Sequence, residues 1–95
     1  MQTTVLPQQQ RAVDKYVAIA EGHGLPVEAS TDADGWTTVS ISDRFGGALW
    51  IYISTTRFSD IKRVRVSATR YYGPTVPTRK LKVREIPWTL SSMAI

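Results

Sequence analysis

No cysteine occurs anywhere in the chain, and histidine occurs once. The first absence excludes a disulfide framework and thiolate metal sites. The second leaves His23 without the companions that a transition-metal site needs, so no metal and no cofactor are expected. The opening stretch MQTTVLPQQQRAVDKY lacks the basic start and apolar run of a secretory signal. The longest apolar run, residues 48–53, is far shorter than the ~20 residues of a membrane-spanning helix. These absences lead to the expectation of a soluble, cytoplasmic protein with no membrane partner. Gly46-Gly47 and Gly73 are isolated turn glycines and form no phosphate cradle. No serine, histidine and acid combine into a nucleophilic arrangement, so no catalytic residue is nominated and the chain is read as a non-enzyme. Nothing in the sequence points to a small-molecule substrate.

What is present suits a folded chain. Hydrophobic residues make up 42% and charged residues 21% of the 95, outside the composition of disordered chains. That length supports one small domain, residues 1–95, with residues 87–95 as a docking tail. Twelve Lys and Arg against eight Asp and Glu give a net charge of +4 and favour polyanionic partners as a class.

The spacing predicts one helix over residues 7–22, because Val13, Tyr16, Val17 and Ala20 share a face. Pro7 suits its first turn, Thr4 is a candidate cap, and Gly22 or Gly24 ends it before Pro26. His23 belongs to that helix end, where a positive imidazole would complement the terminal carbonyls. From Leu25 the period becomes two. Leu25, Val27 and Ala29 alternate with polar residues, as do Val39 and Ile41, then Leu49, Ile51 and Ile53, then Val64, Val66 and Ala68, and finally Leu81 and Val83. Short loops join these runs, and Asp32-Ala33-Asp34-Gly35 is read as a hairpin turn rather than the start of a calcium loop. The fold class is α+β, with one N-terminal helix packed on an antiparallel four- or five-stranded meander sheet.

Parity then assigns the opposite face. Symmetric loops set Val39 against Ile51, Ile41 against Leu49, Val64 against Ile53, Arg65 beside Tyr52, Ser67 beside Trp50, and Val83 and Arg84 against Val66 and Arg65. With a single helix available, the outer face is expected to be bare. Its candidate binding residues are Trp36, Trp50, Tyr52, Arg63, Arg65, Tyr71, Lys80, Lys82 and Arg84. Like charges opposite one another destabilise a sheet unless a polyanion relieves them, and rings among cations suit stacking of unpaired bases. Lys and Arg also protect solvated sheet edges, and Arg65 over Tyr52 would make an intramolecular cation–π pair.

The leading expectation is a binding module whose outer sheet face contacts nucleic acid. The alternative is a protein-interaction or homo-oligomerising accessory protein, of the kind phages and mobile elements encode, with Trp36, Trp50, Tyr52 and the Trp88 tail at the interface. A minor alternative is a metal-free ribonuclease toxin built from Tyr71, Arg65, Lys80 and Lys82.

Overall fold

The computed structural model describes residues 7–58 and 61–94. Helix α1, Pro7–Gly22, coincides with the predicted span and buries Val13, Tyr16 and Ala20. It ends as its glycines direct: the His23 N–H donates to the Ile19 and Ala20 carbonyls, the Leu25 N–H returns to the Ala20 carbonyl, and Gly24 adopts φ 71°. Thr4, the candidate cap, lies outside the described residues.

Five strands follow: β1 Val27–Thr31, β2 Thr37–Ser42, β3 Ala48–Phe58, β4 Ile61–Tyr71 and β5 Arg79–Leu81. They form one antiparallel sheet in the order β1-β2-β3-β4-β5, the meander that short loops between alternating runs dictate. The β2–β3 register agrees with the symmetric-loop expectation, Val39 opposite Ile51 and Ile41 opposite Leu49. The β3–β4 register differs by one step of two residues: Ile53 faces Val66, Ile51 faces Ala68, Ser54 faces Arg65 and Trp50 faces Thr69. The strands continue to Phe58 and resume at Ile61, so the connection is shorter than the alternation suggests. Parity survives that step.

Two expectations fail at the end of the sheet. The β4–β5 register is the anticipated one, with Ala68 opposite Leu81, but β5 stops there. Residues Val83–Glu85 form a 3₁₀ turn instead of continuing the strand, because the Glu85 carboxylate accepts the Lys82 N–H at 3.0 Å and the Glu85 N–H donates to the Lys82 carbonyl. Val83, expected in the core, is 46% exposed. Arg84, expected on the sheet's outer face, sits in that turn. A second helix, α2 Ile86–Met93, follows with Pro87 in its first turn. This helix takes in residues 87–93 of the docking tail and buries Ile86, Thr89, Leu90 and Met93, whereas Trp88 is 73% exposed.

Both helices lie on one side of the sheet. Val13, Tyr16 and Ala20 of α1 and Ile86, Leu90 and Met93 of α2 share a core cluster with Val39, Ile41, Leu49, Ile51, Ile53 and Ala68. Gln9 is buried in the same layer. Its amide nitrogen lies within hydrogen-bond distance of the Gly35 carbonyl (2.7 Å), the Thr37 hydroxyl (3.0 Å) and the Ile53 carbonyl (3.1 Å), and its amide oxygen accepts the Thr55 hydroxyl. One polar side chain therefore ties α1 to β2 and β3. Beyond Ile53, β3 leaves β2 behind, so residues 54–58 and 61–65 run on as a two-stranded ribbon.

Candidate nucleic-acid interface

Register places the outer face residue by residue. One row crosses all five strands, Glu28–Ser40–Trp50–Thr69–Lys80, with an acid at the β1 end and a base at the β5 end. The next row holds Ser30, Thr38, Tyr52 and Ser67, and the β3–β4 pair beyond it sets Ser54 beside Arg65. Thr37 faces Ile53, so the following position, Trp36, falls next to Ser54 at the outer side of the β1–β2 turn. Trp36 is 40% exposed. Trp50 and Tyr71 stack with ring centroids 5.3 Å apart and planes 18° from parallel, an offset diagonal pair across β3 and β4.

The cations fall into two groups. Arg70 and Arg79 face each other directly across β4 and β5, and each has its own carboxylate: Arg70 with Asp43 at 2.8 Å, Arg79 with Glu85 at 3.2 Å. The β3–β4 register also sets Arg57 opposite Lys62, but at Arg70–Arg79 the like charges are neutralised internally. The anticipated pairing of Arg65 with Arg84 does not form, because β5 ends before reaching it. Arg63, Arg65, Lys80 and Lys82 are exposed. Among the described residues, Arg65, Lys80, Lys82 and Arg84 make no ion pair.

The cation–π contacts among the described residues are also elsewhere than expected, Arg70 over Tyr72 at 4.7 Å and Lys15 over Tyr16 at 5.6 Å. The proposed ribonuclease grouping is dispersed: Arg65 and Tyr71 are six positions apart on one strand, roughly 20 Å at the usual strand rise.

The Arg70 end of the sheet was not foreseen as an organising feature. Its guanidinium donates to the Ala48 and Tyr71 carbonyls as well as to Asp43. The other Asp43 oxygen accepts the N–H groups of Phe45 and Gly47 at 2.8 and 2.7 Å. Burial alone would push the Asp43 carboxyl up, but the Arg70 hydrogen bond and the two backbone donors outweigh it and hold the group below its ordinary value. Gly47 is required by this packing, since a Cβ there would lie 2.6 Å from an Asp43 oxygen and 2.7 Å from the Tyr71 carbonyl. Asp32 plays the same turn role at the other end of β2, accepting the N–H groups of Asp34 and Trp36, with Gly35 at φ 86°. The sequence signal for both turns was the repeated aspartate with glycine three residues later.

A shallow groove of about 410 Å³ lies at the acidic end of the outer face, lined by Pro26, Val27, Glu28, Ser40 and Ser42. It carries no ring and no cation. Among the described residues no group of three His, Asp or Glu could hold a metal ion, and no helix is long and apolar enough to cross a membrane. No family model, curated protein or solved structure matches this chain.

Proposed function

We propose that the chain is a cytoplasmic binding module that takes single-stranded nucleic acid on the β3–β5 half of its outer sheet face. The observation that carries this reading is the combination of rings and cations on a face that neither helix covers: the stacked Trp50–Tyr71 pair, with exposed Lys80 in the Trp50 row and Arg65 further along β4. Rings so placed offer a π-face to an unpaired base, and unpaired cations offer counterion release to its phosphates. Tyr52 extends the ring surface along β3, and Lys82, one residue past β5, extends the charge. The acidic β1 end, with Glu28, repels the same ligand and so sets its position across the sheet.

Mobility shifts with single- and double-stranded DNA and RNA at low salt test it. Single strands are expected to shift and to be released as salt rises; no shift with any of them at low salt sinks the proposal.

A second reading, protein docking, is supported by Trp88, which α2 turns away from the core, 73% exposed. Tryptophan is among the residues enriched at interface hot spots. Trp88→Ala would then weaken capture of a protein partner while leaving nucleic-acid binding unchanged.

A further inference from the structure

We propose that β1 is a dimerisation edge, at which a second copy of this chain adds its own β1 antiparallel about a two-fold axis through Ala29. The backbone supplies the first argument. Ser42 donates to the Pro26 carbonyl and Asp32 donates to the Trp36 carbonyl, so the even-numbered β1 residues exchange hydrogen bonds with β2. Alternation then aims the N–H and C=O groups of Val27, Ala29 and Thr31 away from the sheet, into solvent. Those three positions are symmetric about Ala29. A two-fold axis there pairs Ala29 with Ala29 of the second copy and Val27 with Thr31, and satisfies every outward group.

Side chains fit the same register. On the outer face Glu28 meets Ser30 of the second copy, so the like-charge opposition of two Glu28 carboxylates is avoided. Residues 28–31 are exposed, and Ala29 leaves space at the axis. The contrast with β5 supports the assignment. That edge is three residues long and carries Arg79 and Lys80, the devices by which proteins blunt a sheet edge, whereas β1 has no Lys, Arg or Pro in its five residues. A two-fold axis perpendicular to the sheet closes the assembly at two copies and keeps both outer faces on one side. So short an edge buries less than the roughly 1,200 Å² of a standard interface, which makes the dimer a concentration-dependent one.

Sedimentation of the full chain from about 10 µM to about 1 mM tests this, a range suited to weak specific contacts. The wild-type chain is expected to pass from monomer to dimer. Ser30→Lys, which faces Glu28 of the second copy twice over, is expected to tighten the dimer roughly tenfold, and Ser30→Glu to weaken it by a similar factor. Ala29→Pro removes an N–H that β2 does not use and is expected to leave a folded monomer at all concentrations. Amide exchange supplies a readout independent of fold stability: the N–H groups of Val27, Ala29 and Thr31 should slow with concentration, while those of Glu28 and Ser30 are protected throughout. A wild-type monomer at about 1 mM, a same-direction response to Ser30→Lys and Ser30→Glu, or dimerisation abolished by Trp50→Ala but not by Ala29→Pro would overturn the proposal.

Discussion

The two faces of the sheet are made from the same strands by alternate residues, yet they have opposite fates. The inner face, with Val39, Ile41, Leu49, Ile51 and Ile53 fully buried, takes both helices. The outer face has rings of comparable size in Trp50, Tyr52 and Tyr71, but these are only partly covered, and Trp50 and Tyr71 stack on each other. Burial on one side is supplied by the chain's own helices, and on the other it is left to a neighbouring ring. Difference in chemistry follows, because a face that keeps polar neighbours and unpaired cations stays open to a charged ligand, whereas a closed apolar layer has no such freedom.

Truncation on the two sides should separate most sharply. Ile51→Ala, at a site with no exposure, is expected to cost about 2–5 kcal/mol in denaturant unfolding, and Trp50→Ala, one residue away on the other face, markedly less. Equal losses would erase the distinction between the faces. Next in size is the Arg70–Asp43 pair, whose side chains are 11% and 6% exposed. Arg70→Ala should destabilise by about 2–3 kcal/mol, because it strands the Asp43 carboxylate and two carbonyls, and Arg70→Lys should recover only part, since an ammonium lacks the guanidinium fork.

The same carboxylate makes the fold acid-sensitive. Its folded pKa is depressed, so its contribution is complete above the unfolded value of about 4 and is lost as pH falls through the lower folded value. In Asp43→Asn that part of the acid dependence should disappear, which a pH series of unfolding midpoints will read. Tyr16 behaves oppositely: burial raises its pKa, so its contribution holds below about pH 10 and is lost as pH rises further.

The smallest effect has the opposite sign. Ser54 points to the outer face but is buried, and its hydroxyl is without a hydrogen-bond partner among the described residues. Ser54→Ala removes that orphan and should stabilise by about 1 kcal/mol. A loss of stability instead would show that the hydroxyl is satisfied and that the face is less open than described.

Much of this architecture was legible as periodicity. Residues 7–22 declare a helix because their apolar positions share a face and glycines and a proline close the end. Parity of the strands was equally readable, since the apolar set must face the core. The β3–β4 register was not, because Ser54, Thr55 and Thr56 show no apolar alternation, although Thr55 turns inward to Gln9 and Val64 opposite it packs against the core. Val83 misled for the converse reason. It continues the alternation of Leu81, but Glu85, three residues after Lys82, captures the backbone and turns the chain into α2.

The candidate site was legible only as a set of residue types. Trp50, Tyr52, Arg65 and Lys80 do share the outer face, while Arg84 leaves it, and Arg70 and Arg79, a like-charge pair across β4 and β5, neutralise their charge within the chain. Gln9 and Arg70 escaped notice because a polar residue gives no sign of burial by itself. Their positions did: Gln9 lies four residues before Val13 on the buried face of α1, and Arg70 follows Val64, Val66 and Ala68 in inner parity.

The bare face as a nucleic-acid surface is tested most directly by the salt dependence of single-strand binding, followed by fluorescence anisotropy for the wild-type chain, Arg65→Ala and Trp50→Ala. Arg65→Ala should reduce the slope of log affinity against log salt by about 0.7, the share of one phosphate contact on a single strand. Trp50→Ala should leave that slope in place and weaken binding by about 1–3 kcal/mol at every salt concentration, the worth of one stacked base. Affinity and slope unchanged in both variants would contradict the account.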